Sequence, residues 1–202
     1  MHIYRVGRLA GLLAMAVGFE APAAEEIERA ARLNDVSKLG LPEAMVTRGA
    51  ALTDAEITVM RKHVTLGAQM IAQSRDVSFA VARDVALHHH ERWDGGGYPH
   101  GLAGAAIPEA ARITAITEVF DVLTHGRSYR AALSPRNALV EIQRVSGTQF
   151  EPRLVDAFVL MMQRLIEKYG AGGRLDEYLA EAGHESAFLQ AKDSMKELFS
   201  VM

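Results

Sequence analysis

The sequence predicts an all-α fold. Alanine, leucine and arginine are abundant, β-branched alternation is scarce, and no stretch reads as a hairpin. The chain has 202 residues, enough for one sizeable domain with a proper core, or for such a domain with a small appendage.

Each helix has its own start or stop signal. A first helix is expected over about residues 2–18 and a second over 22–37, with Pro22 near its start. Leu41-Pro42 breaks the chain. Thr53-Asp54-Ala55-Glu56 is a capping box, and the helix it opens is expected to run to Ser74. Asp76 caps the next helix, which ends in the histidine run at 88–90. Residues 92–107 form a long glycine-rich loop, a kind of segment more often functional than idle. Pro108 begins a helix through His125, and residues 126–133 make a second, basic connection. Ser134-Pro135 places an N-cap before proline at the first helical position, opening a helix to about Val145. Pro152 starts another, which runs to Tyr169. The glycine cluster at 170–173 divides a domain at 1–170 from a helical tail at 171–202, read as a packing or dimerising element.

Apolar residues make up 49%, charged residues 23%, and the net charge is −3. That balance argues against a general nucleic-acid or membrane surface, but a small anionic ligand needs only a local basic cluster. The chain has no cysteine, which removes disulfides, thiolate metal sites and cysteine nucleophiles and suits the cytoplasm. Arg5 and Arg8 precede the apolar run at 9–17, and Ala21-Pro22-Ala23-Ala24 follows. The pattern reads either as a signal peptide or as an amphipathic core helix, and the run is too short to span a bilayer.

The chemistry concentrates in His89-His90-Glu91-Arg92-Trp93-Asp94-Gly95-Gly96-Gly97-Tyr98-Pro99. Imidazole and carboxylate are the usual ligands of manganese, iron and zinc, and consecutive glycines let the backbone approach a ligand closely. This run resembles the signature HHExxDGxGYP of the HD-GYP family at every specified position. Five further stretches follow the family's order. They are His2-Ile3-Tyr4-Arg5-Val6, then Arg32 to Lys38 where the family has L-H-D-I-G-K, and His63 with Gly67. Glu118 to Leu123 stands against D-V-F-D-A-L, and Arg127-Ser128-Tyr129-Arg130 against R-P-Y-R. The resemblance covers about residues 2–159.

The resemblance implies a helical HD-superfamily bundle with a long GYP loop and a C-terminal helical extension. It implies hydrolysis of cyclic di-GMP to pGpG or GMP with two or three divalent metal ions, iron or manganese. By the same resemblance Asp35 bridges the metals, and His2, His63, His89, His90 and Glu118 complete the ligand set. Lys38 sets its ammonium against a phosphate. Arg127 and Arg130 contact the dinucleotide beside a wall made by Gly97, Tyr98 and Pro99. Arginine suits that role because its fork binds phosphate bidentately and its plane stacks on a base. A bacterial cytoplasmic location is implied, as are protein partners such as diguanylate cyclases; a homodimer is a further expectation.

Two ligand positions depart from the family. The HD histidine is Asn34, whose neutral amide oxygen is a poor ligand for a transition metal. The first aspartate of D-V-F-D is Glu118, whose extra methylene moves the carboxylate on the order of 1.5 Å. The family's glutamate one turn before the first histidine would fall before Met1, so either that ligand was never present or a longer natural chain is expected. These departures set an impaired or degenerate domain, binding a cyclic dinucleotide or a protein, against an active phosphodiesterase. The remaining histidines, His88, His100, His125 and His184, are read as surface or capped residues. Asp121 is read as a structural hydrogen-bond partner, Asp94 as an organiser of its own loop, and Glu91 as a support behind the histidines.

Overall fold

The computed structural model describes residues 2–41, 45, 52–74, 79–125, 131–170 and 174–180. Among them are nine α-helices and no strand. In chain order these are α1 (His2–Ala16), α2 (Ala21–Ala31), α3 (Asp54–Arg61), α4 (His63–Ala72) and α5 (Ala80–His88). They are followed by α6 (Glu109–His125), α7 (Pro135–Arg144), α8 (Pro152–Tyr169) and α9 (Arg174–Ala180). Short 3-10 turns cover Val36–Gly40 and Gly104–Ala106. The all-α expectation holds.

The core forms around α1. Val6, Leu9, Ala10, Leu13 and Ala14 are fully buried, and α1 packs on α2, α6, α8 and α9. This is the core-helix reading of the N-terminal segment. A close α1–α2 approach depends on Gly7, where a Cβ would lie 2.8 Å from the Glu28 carbonyl oxygen. A second, smaller cluster of Ala30, Ile71, Ala82, Val85 and Ala86 joins α2, α4 and α5. That cluster seats the histidine-bearing helices against the end of α2.

The capping signals are realised. Glu56 N–H donates to Thr53 Oγ1 while Thr53 N–H donates to the Glu56 carboxylate, both halves of the capping box. Asn137 N–H donates to Ser134 Oγ at 3.2 Å. The single helix expected from 54 to 74 is instead two, broken at Lys62. The break starts α4 at His63, whose ring points back at the Met60 carbonyl. The second helix ends at Ala31 rather than at residue 37, because the chain tightens into turns before the 3-10 segment. Asp76 lies outside the described residues. The described part of the tail joins the same core through buried Leu175 and Leu179, and Tyr178 stacks on Tyr169. Among the described residues no helix is long and apolar enough to cross a membrane.

Candidate metal centre

Four residues from three places in the chain converge. One ligand atom each from Asp35, His63, His89 and His90 lies within 4.8 Å of the others. Asp35 sits just before the Val36–Gly40 turn, His63 opens α4, and His89 and His90 follow α5. Ser37 ties two of these elements together, its hydroxyl donating to the His63 carbonyl at 2.5 Å.

The imidazoles are oriented before any ion arrives. His63 Nδ1 lies 2.6 Å from the Met60 carbonyl oxygen, and His89 Nδ1 lies 2.9 Å from that of Val85. A carbonyl only accepts, so each Nδ1 carries a proton, and in the neutral ring each Nε2 presents a lone pair. Those Nε2 atoms face Asp35 Oδ1 at 3.4 and 3.6 Å. Asp35 Oδ1, His63 Nε2 and His89 Nε2 are buried and lack a hydrogen-bond partner. Orphaned buried polar atoms are costly, and a divalent cation would satisfy all three. The donor set of one carboxylate and three imidazoles fits manganese, iron or zinc.

The electrostatics of Asp35, His63 and His90 fit that reading; burial lowers His89, but Asp35 and then Glu118 outweigh it and raise that ring, so an ion binding there would displace its proton. Burial opposes ionisation of Asp35, yet His89 and Lys38 hold it well below the ordinary carboxylate range. Lys38 Nζ donates to Asp35 Oδ2 at 2.7 Å, leaving Oδ1 directed at the histidines. Burial, with Lys38 adding to it, lowers His63 to about 4, so that ring stays neutral and able to ligate. His90 is likewise pushed well down, by burial and then by His89 and His63.

A cavity of about 520 Å³ opens beside the cluster, lined among others by Arg61, His89, His90, Tyr98, Glu118 and Gln149. Tyr98 stacks on His90 with ring centroids 4.9 Å apart, and the Arg61 guanidinium lies 5.1 Å from the Tyr98 ring centre. Gly97 lets the loop fold down here, since a Cβ would lie 2.5 Å from Glu91 Cα. The following Tyr98-Pro99 peptide is cis. Asp94 orders the loop as expected, accepting from Gly96 N–H at 2.9 Å and pairing with Arg92. Glu91 accepts from the backbone N–H groups of His100 and Leu102, so it braces the loop.

Other expected residues lie apart from the converging group. His2 Nδ1 lies 2.6 Å from Asp121 Oδ2, and Arg5 grips both Asp121 oxygens. Asp121 is thus the structural partner anticipated for it. Glu118 is buried and faces the cavity, outside the four-residue cluster. Asn34 is 1% exposed and its Nδ2 has no hydrogen-bond partner. Arg127, Arg130 and His184 lie outside the described residues. Sequence reasoning missed Arg61 and Gln149 as cavity residues. Arg61, two positions before His63, had a readable signal in its charge; Gln149 had none. His125 is capped by Asp121 and Asp176, as a non-ligand histidine should be.

A helical domain with a buried histidine–carboxylate cluster beside a cavity is suited to holding a divalent metal ion. The chain belongs to the HD domain family, which it matches over residues 3–154, and within it to the HD-GYP branch. It is 34% identical over 168 residues to a cyclic di-GMP phosphodiesterase of Thermotoga maritima, covering 83% of this chain and 46% of that protein. It is 39% identical over 155 residues to the cyclic di-GMP phosphodiesterase response regulator of Xanthomonas campestris, covering 77% and 41%. A 3'3'-cGAMP-specific phosphodiesterase of Vibrio cholerae is 37% identical over 155 residues, covering 77% and 30%. The chain thus spans less than half the length of these relatives. An HDG"Y"P protein of Bdellovibrio bacteriovorus has a similar fold, with a TM-score of 0.65 at 16% identity over 80% of this chain and 51% of that one.

Proposed function

We propose that this domain is a metal-dependent phosphodiesterase that hydrolyses cyclic di-GMP or a related cyclic dinucleotide in the bacterial cytoplasm. The observation that carries the reading is the convergence of three orphaned buried atoms, Asp35 Oδ1, His63 Nε2 and His89 Nε2, at the edge of a cavity. Asp35, His63, His89 and His90 would hold the first ion, with His2 and Glu118 assigned to a second from the family pattern. Iron or manganese fits the donors, and such ions supply an activated water and neutralise charge on phosphoryl oxygens.

The chain's own residues do the rest. Asp35 stays ionised beside Lys38, so the cluster carries the negative charge a divalent ion needs. The Lys38 ammonium stands one salt bridge away, where it can meet a phosphate oxygen. Gly97 and Tyr98 line the cavity, with Pro99 assigned beside them from the family pattern, and Arg61 adds a cation to the lining. A cavity of this size lies within the usual range for small-ligand sites, about 300–1,000 Å³. Arg127 and Arg130 are assigned to the dinucleotide from the family pattern. The relatives' names, which specify cyclic di-GMP or 3'3'-cGAMP, support this substrate class.

Buried Asn34, with its unpartnered amide, supports a second reading. In it the domain binds a cyclic dinucleotide, or a protein such as a diguanylate cyclase, without cutting. The deciding experiment is metal analysis of the purified chain with turnover of cyclic di-GMP under added manganese or iron. Hydrolysis to pGpG or GMP is expected. Calorimetric binding of the dinucleotide without turnover under either metal would select the second reading.

A further inference from the structure

We infer a second cation site, formed by His88, Glu91 and His100 and separate from the Asp35 cluster, that takes a zinc-class transition-metal ion. One ligand atom from each lies within 4.8 Å of the others, and none belongs to the first cluster.

His88 Nδ1 is buried with no hydrogen-bond partner and stands 4.0 Å from Glu91 Oε1. The Glu91 side chain is fully buried. Its oxygens accept one backbone N–H each, from His100 at 2.8 Å and Leu102 at 3.1 Å. A carboxylate offers about four acceptor positions, so coordinating capacity remains on a buried anion. The His100 ring lies with its centroid 5.4 Å from that of His88, and His100 is exposed. An ion can therefore enter from the His100 side and keep water in its remaining positions.

The donor chemistry selects the metal class. Two imidazoles and one carboxylate form a three-ligand set that zinc uses with an open fourth position. Zinc bonds of about 2.0–2.2 Å place tetrahedral ligand atoms on the order of 3.4 Å apart. The present separation needs only small rotations to close. Magnesium and calcium prefer all-oxygen sites and are disfavoured.

The position gives the site a purpose. His88 ends α5 immediately before His89 and His90, and His100 immediately follows Pro99. An ion held here would clamp both ends of the segment that carries two histidines of the first cluster and Tyr98. His88 points away from His89, because successive helical residues point about 100° apart.

Zinc is titrated into the metal-stripped full chain in competition with a chromogenic chelator, and the same is done for His100→Gln and His88→Gln. Because His100 is exposed, its replacement leaves the fold intact, which circular dichroism checks. The wild-type chain is expected to hold one more zinc than either variant, or to hold it at least about tenfold more tightly. Equal stoichiometry with affinities within twofold in the wild type and His100→Gln would overturn the site.

Discussion

Asp35 Oδ1 lies 3.4 Å from His63 Nε2, and neither atom has a hydrogen-bond partner. The pair links the turn after α2 to the first residue of α4, across 28 positions of sequence. Both groups are held in place by contacts on their far side, Lys38 for the carboxylate and the Met60 carbonyl for the imidazole. The site is thus organised by the protein before an ion binds, which limits the ordering cost of binding.

Removing either partner should release the metal. His63→Ala and Asp35→Asn are each expected to lower metal affinity by at least about 100-fold and to abolish turnover of cyclic di-GMP. Metal content by mass spectrometry, with circular dichroism as the fold control, checks this. Full metal retention by both variants would remove the cluster from the mechanism.

Restoring the family's residues tests the altered site. Asn34→His combined with Glu118→Asp is expected to raise both metal content and the rate of hydrolysis. A double variant with neither gain would locate the defect elsewhere than at these two positions.

Asp121 should matter for stability. It receives both Arg5 and His2 and is itself buried. Burial opposes its ionisation, but His2 and Arg5 outweigh that and lower it. Asp121→Ala leaves the Arg5 guanidinium buried without its carboxylate. Breaking such a pair costs about 3–5 kcal/mol, to be read as a lower urea midpoint with unchanged slope. A loss below about 1 kcal/mol would be typical of an exposed pair and would count against a buried hub.

The loop has one position with no room. At Gly97 an added methyl would press on the backbone of Glu91 and Arg92, which cannot rotate away. Gly97→Ala is expected to cost about 1–3 kcal/mol from overpacking and to displace Tyr98 from His90, with a fall in turnover. Stability and activity both at wild-type level would mean that the loop does not need this close approach.

Local signals in the sequence were enough for most of the fold. The capping box at Thr53, the Ser134-Pro135 start and the Pro152 start each depend on neighbours within four residues, and each is realised. Boundaries were less legible. The break at Lys62 carries no proline or glycine; helical backbone angles merely tighten there, and the register that lets His63 face Asp35 follows.

The site divides along the same physical line. The resemblance to the HD-GYP motifs picked out Asp35, His63, His89 and His90 as candidate ligands, and imidazole and carboxylate are the groups that such chemistry needs. Only the tertiary structure decided which of the candidates meet. It joined those four, set His2 on Asp121, and placed Glu118 in the lining of the cavity. It also brought His100 to His88, two residues that read individually as surface histidines. Caps and periodicity act over one or two helical turns, whereas a ligand shell is closed by segments tens of residues apart. Their meeting depends on how α2, α4 and α5 pack around Ala30, Ile71 and Val85, and that packing has no local signature.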